Sequence, residues 1–201
     1  MSTHLLQCDQ HGELFNEHWD YRSVNGKLSC LEKSSWPDIA FAVHQCTCLA
    51  ANPMKSHAEA VKQIGRYLIG TCDKVLILQP NSKQSFLVWA DANLVGNWKE
   101  VTAMSDITAA KSRSGYLITF SGCPILWASK VQIEIALSTT ESEYISLSTA
   151  LWETIPMMCL IGEVRQRFNC GDIVSTPTIQ CTLFEDNSGA LELANTPKMR
   201  P

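Results

Sequence analysis

What the sequence lacks narrows its class before any motif does. Charged residues make up only 18% of the 201 positions, against 45% hydrophobic ones. A chain so sparing of charge has the apolar side chains to fill one or two cores and is not a disordered segment. It lacks a basic excess: 16 Lys and Arg face 20 Asp and Glu, a formal charge of -4. Any contact with phosphate must therefore come from local Lys or Arg groups rather than from the field of the whole chain. It lacks a long apolar run as well. IAFAVHQCTCLAA is interrupted by His44 and Gln45 and is too short to span a bilayer, so a soluble chain with no membrane partner is expected. The nine cysteines contain no C-x-x-C pair, and no secretory signal stands at the start. Structural zinc needs paired ligands at short spacings, so the expectation is buried free thiols in a reduced, intracellular setting.

Residues 1–20 show no period and read as an irregular or docking segment. From Tyr21 the pattern is helical, through YRSVNGKLSCL, PDIAFAVHQCTCLA and KSHAEAVKQIGRYLIG, with Pro37 in a first turn, Pro53 at a break and Gly70 at a stop. This predicts a helical module over 21–78, joined by the linker QPNSKQ to a second domain over 85–201. At Lys74 the period changes. KVLIL, SFLVWADA, SRSGYLITFSG, CPILWASK and IEIAL are short, β-branched and aromatic runs between turn residues and read as strands. After ALSTTESEY comes a helix with an apolar face of Tyr144, Leu147, Leu151 and Ile155, which Pro156 either kinks or ends so that a second helix starts. TPTIQCTLFEDN reads as a further strand and SGALELAN as a helix. The expected class is α/β or mixed α+β.

Three acids stand where elements end. Asp91 follows the apolar run FLVWA, and Asp186 follows TIQCTLFE and precedes Asn187-Ser188-Gly189. Carboxylates at the rim of a sheet suit hard divalent cations, which take oxygen ligands; each Asp alone also suits a cap or turn. In ALSTTESEY, at about 100° per residue, Glu141 and Glu143 project about 160° apart, so only one can face a shared site. Glu143 lies roughly 60° and Glu141 roughly 100° from the centre of the face carrying Leu147, Ala150, Leu151 and Thr154. Ser138-Thr139-Thr140-Glu141 fits a capping box that would occupy Glu141, and Thr140 with Glu143 is an equally legal register.

WADANLVGNW, AKSRSGYLITFSGCPILWASKVQ, ALSTTESEYISLSTALWE and FEDNSGALELANTP together resemble the ribonuclease H domain that closes the polyprotein of copia-type LTR retrotransposons. Upstream, YRSVNGKLSCL, WPDIAFAV and NPMKSHAEAVKQIGRYLIGT resemble the tail of the same polyprotein's reverse transcriptase, so the likeness runs in order from Tyr21 to Pro201. It implies a ribonuclease H-like mixed sheet with flanking helices, hydrolysis of the RNA strand of RNA/DNA hybrids, and two Mg2+ ions as cofactor, with Mn2+ as a substitute. Carried over residue by residue, the catalytic and metal-binding acids match Asp91, Glu143 in E-Y-I-S-L, and Asp186, with Asp91 expected to bridge both ions. Asn93, Lys111, Arg113, Ser114, Lys130 and Asn187 are the implied hybrid contacts, read through 2'-hydroxyls and backbone shape. The rest of a polyprotein is the implied partner, and the cytoplasm, a retrotransposon particle or the nucleus the implied location.

Two departures from the family pattern add expectations. The matching residues stop at Pro201, before the family's basic, histidine-containing stretch and fourth acid, and no Y-x-D-D pair of a polymerase is present. The alternative expectation is thus a retrotransposon relic that folds without cutting, a hybrid-binding or inert module. Where the family usually has Cys before the third acid, this chain has Glu185, whose side chain is expected to alternate away from Asp186 and be tolerated if the strand persists.

Overall fold

The computed structural model describes residues 6, 9, 11–81, 83–96, 98, 107–168 and 179–196. They form two compact units, one built mainly from 1–76 and the other from 77–96, 111–127 and 131–201.

The first unit is helical. Helix α1 spans Tyr21–Ser34, a 3-10 turn Pro37–Ile39 leads into α2 at Ala40–Cys48, and α3 spans Lys55–Gly70. Asp20 caps α1 by accepting from the Arg22 N–H at 3.0 Å, satisfying one of the orphan donors of the first turn. Tyr21, Leu28, Ile39, Val43, Cys46, Val61 and Ile64 make its core. The Tyr21 hydroxyl is buried there and donates to the Cys46 carbonyl at 3.1 Å. The segment before α1 is docked rather than loose. Leu14 bridges Met54, the Lys55 N–H donates to the Glu13 carbonyl at 2.8 Å, and the Phe15 and Trp19 rings meet edge to face at 4.8 Å.

The second unit is a mixed sheet with helices. Strand β1 is Phe86–Asn93, β2 Arg113–Phe120, β3 Cys123–Val131 and β4 Cys181–Phe184; α4 spans Thr139–Arg167 and α5 Ser188–Asn195. The order is β3-β2-β1-β4, with β1 antiparallel to β2 and parallel to β4. The mixed α+β class and the ribonuclease H-like sheet expected from the sequence are therefore present. Ser121 and Gly122 both have positive φ, 51° and 79°, the two-residue turn that matches the twist of a β2–β3 hairpin. Phe86, Val88 and Ala90 alternate inward on β1, opposite Phe120, Ile118 and Tyr116 on β2.

Helix α4 packs on β1 and β2 through the face of Leu147, Ala150 and Thr154 that the sequence offered, but not through the whole of its large apolar stripe. Tyr144 and Leu151 are half-buried and Ile155 is exposed, while the buried face carries Ser142, Glu143, Ser146, Leu147, Ala150 and Thr154. Ser142, Ser146, Ala150 and Thr154 set small residues at four-residue spacing on that buried face. The helix continues through Pro156 as one element. By length and composition alone it could cross a bilayer; its buried hydroxyls and Glu143 mark the face that covers the sheet. KVLIL and IEIAL are not strands: neither pairs among the described residues, and Val75, Ile77, Ile133 and Leu137 are at least 73% exposed. β-Propensity selects a strand only where a neighbouring strand accepts its hydrogen bonds.

None of the seven described cysteines forms a disulfide, yet only Cys46 and Cys123 are buried, and Cys30, Cys48, Cys72 and Cys159 are exposed. The other two cysteines and the first part of TPTIQC lie outside the described residues.

Ile118 is fully buried whereas Ile133 is 88% exposed. Ile118→Ala is expected to cost about 2–5 kcal/mol of stability and Ile133→Ala less than about 0.5 kcal/mol, as read by urea denaturation. Equal losses would show that IEIAL is packed after all.

Candidate metal centre

Strands β1 and β4 run in parallel register, with Trp89 paired to Phe184 and their rings stacked at 5.3 Å. Asp91 lies two residues past Trp89, and Asp186 two residues past Phe184. A parallel register brings residues at equal offsets to the same end of the sheet, about 4.8 Å apart in the pairing direction. Both aspartates are exposed at that rim.

The third acid comes from α4. Ser138 caps the helix by accepting from the Glu141 N–H at 3.1 Å, and the Glu141 carboxylate reaches back to the Leu137 N–H at 2.8 Å. Glu141 is thus consumed by the helix start, in the first of the two registers the sequence allowed. Glu143 turns inward and is only 7% exposed. One turn on, the Ser146 hydroxyl donates to the Asp91 carbonyl at 2.8 Å and to that of Gly115 at 3.3 Å, fixing the helix against β1 beside the aspartate. One carboxylate oxygen from each of Asp91, Glu143 and Asp186 lies within 4.8 Å of the other two.

The loop into α5 completes the rim. Asn187 Oδ1 accepts from the Ala190 N–H at 3.0 Å and from the Thr140 hydroxyl at 3.4 Å. A Cβ on Gly189 would stand 2.9 Å from Thr140 Oγ1, so glycine permits the starts of α4 and α5 to touch. On the other side, Val95 holds φ 47° in the turn after β1, a left-handed conformation that strains a β-branched residue. Its N–H donates to Ser112 Oγ at 3.3 Å.

Burial raises the Glu143 carboxyl to about 7, and the carboxylates of Glu185, Asp91 and Asp186 push the same way against one favourable bond from the Ala92 N–H. Glu185 is raised too, by burial first. Sequence reasoning passed over Glu185. It does alternate away from Asp186, but the ladder ends at Phe184, and its carboxylate is near enough to Glu143 to raise that group further. The signal that could have found it was the like spacing of Trp-Ala-Asp and Phe-Glu-Asp: Glu185 takes the place of the buried Ala90.

Of the residues expected to touch a hybrid, Asn93 and Lys130 are exposed and Lys111 is half-buried. Arg113 and Ser114 are buried, and Ser114 Oγ accepts from Gln132 Nε2 at 2.9 Å. Asn187 is engaged as the α5 cap. The structure therefore groups the three acids at one rim and leaves Asn93, Lys111 and Lys130 as the more accessible polar candidates.

The class that fold and site define is a mixed α+β domain with three carboxylates converging at one rim of its sheet. The particular family follows from sequence comparison. The chain is 43% identical over 144 residues, 72% of its length, to the retrovirus-related Pol polyprotein from transposon TNT 1-94 of Nicotiana tabacum. It is 29% identical over 186 residues, 92% of its length, to the corresponding polyprotein from transposon RE1 of Arabidopsis thaliana. A third relative, secreted RxLR effector protein 161 of Plasmopara viticola, is 33% identical over 135 residues, 67% of this chain and 89% of that protein. The chain's homologues are thus retrovirus-related Pol polyproteins of plant transposons, as a fragment of a copia-type retrotransposon polyprotein would have. The chain spans about a tenth of the length of the polyproteins it matches. No protein-family model and no solved structure matches it.

The carboxyl pair sets a pH dependence. Because Glu143 sits above its ordinary value of 4.5 when folded, the folded state holds the proton more tightly than the unfolded one. That contribution is fully present below about pH 4.5 and is lost as pH rises through about 7. Thermal melts in chelator are expected to show falling stability across that window, and Glu143→Gln to flatten the fall. A slope unchanged in the variant would remove Glu143 as its source.

Proposed function

We propose that the sheet unit is a ribonuclease H-type nuclease that hydrolyses the RNA strand of RNA/DNA hybrids with two Mg2+ ions, or Mn2+ in their place. The convergence of Asp91, Glu143 and Asp186 within 4.8 Å carries this reading. The donor set fits the ions: it is all hard oxygen, it includes a buried Glu143 oxygen with no hydrogen-bond partner, and its span suits ions held about 3.5–4 Å apart.

When bound, such ions supply an activated water and stabilise the leaving oxygen, which yields a 5'-phosphate and a 3'-hydroxyl. The chain's own residues hold the geometry. The Ala92 N–H orients one Glu143 oxygen, Ser146 ties α4 to the Asp91 backbone, and the Asn187 cap and Thr140 place the turn that carries Asp186. Asn93, Lys111 and Lys130 are the candidates to meet the hybrid's backbone and 2'-hydroxyls, the features that separate RNA from DNA. The rest of a Pol polyprotein is the expected partner, in a cytoplasmic, particle or nuclear setting.

A hybrid labelled on its RNA strand tests the proposal. The chain with Mg2+ or Mn2+ is expected to cut the hybrid and spare both single-stranded RNA and duplex DNA, and Asp91→Asn to fall to the no-protein background. Equal background from both proteins would sink the nuclease reading and leave a folded module that binds the hybrid or is inert.

A further inference from the structure

We propose that Glu185 is a fourth carboxylate ligand of the cation site, an inference that rests on reading Asp91, Glu143 and Asp186 as that site. The geometry of the two glutamates points to it. Glu143 is more than nine-tenths buried, and its Oε2 has no hydrogen-bond partner. Glu185 Oε2 is likewise buried without a partner. Each carboxylate has a second support from the backbone: the Ala92 N–H bonds Glu143, and the Asn187 N–H donates to Glu185 Oε1 at 3.2 Å.

This is the arrangement of ligands held by outer contacts, in which one oxygen is oriented by the protein and the other is left for the metal. An unsatisfied buried oxygen costs free energy, and two on adjoining acids repel each other unless a positive particle sits between them. Among the described residues, the charges that act on either glutamate are other carboxylates, from Asp91, Asp186 or each other. Among those residues no ammonium or guanidinium takes the part, so a divalent cation is the group that satisfies both oxygens once the acids are ionised. The ligand set becomes Asp91, Glu143, Glu185 and Asp186, all within the described residues.

Mn2+ titrated calorimetrically into the metal-free chain at pH 8 tests this, with melting in chelator as the check that each variant folds. Wild type is expected to bind, Asp91→Asn to lose binding, and both Glu185→Gln and Glu185→Asp to bind about 10-fold more weakly or worse. Glu185→Gln removes the charge, and Glu185→Asp keeps it but withdraws the oxygen. Wild-type affinity in Glu185→Gln would overturn the assignment of Glu185 while leaving the three-carboxylate site intact. Weak binding in Glu185→Gln with wild-type affinity in Glu185→Asp would show a distant charge effect and overturn ligation. No binding by wild type, or undiminished binding by Asp91→Asn, would sink the site reading itself and the Glu185 inference with it.

Discussion

The hydrogen bond from the Ser146 hydroxyl to the Asp91 carbonyl joins the two elements on which the carboxylate cluster depends. It spans the seam between α4 and β1, on a helix face where Ser142, Ser146, Ala150 and Thr154 are small buried residues. The buried hydroxyls are satisfied locally, Ser142 by the Thr139 carbonyl at 2.8 Å and Thr154 by the Ala150 carbonyl at 2.7 Å. Their burial therefore does not leave orphaned donors. Glu143 stands three residues before Ser146, less than one turn, so whatever holds Ser146 at the strand holds Glu143 at the rim. A larger side chain in this stripe would lift the helix and take the third acid away from the two aspartates.

The second requirement is the parallel pairing of β1 with β4, two strands far apart in the chain. Their stacked Trp89 and Phe184 lock the register one alternation before the acids. Equal offsets then carry Asp91 and Asp186 to the same end. Bringing like charges together opposes folding, and the chain answers in two ways. The aspartates stay in solvent, where their repulsion is screened, while buried Glu143 takes up a proton at higher pH than a free glutamate would. The site is thus held by the frame around it and not by attraction among its own members.

Much of this was legible in the sequence because it is local. The breaks at Pro37 and Pro53, the Ser138 cap, the separation of Glu141 from Glu143 around the helix and the strand end near Asp186 all follow from short-range rules, whereas β1 runs two residues past Asp91, to Asn93. What misled was anything decided by a partner. KVLIL and IEIAL have the residues of strands, but no neighbour takes up their hydrogen bonds. The large residues of α4 drew the expected buried face toward Tyr144 and Ile155, because hydrophobic periodicity does not single out the small residues Ser142, Ser146, Ala150 and Thr154. Arg113 and Ser114 read as surface contacts because their polarity was visible and their burial beneath the β2 end was not.

Glu185 shows where the two kinds of information meet. Alternation correctly turns its side chain away from Asp186, and a strand rule can say no more. What lies in that direction depends on the register of β4 against β1, which makes Glu185 the counterpart of Ala90 on the buried side of the sheet. A glutamate at the place of an alanine would be a cost without return in an ordinary core, since its buried oxygen needs a partner. Here α4 brings Glu143 to the same spot with the same need. One positive particle can meet both needs, whereas either glutamate alone would remain an isolated buried acid. The departure that seemed harmless in the sequence is, in the folded chain, joined to the helix glutamate at the centre of the site.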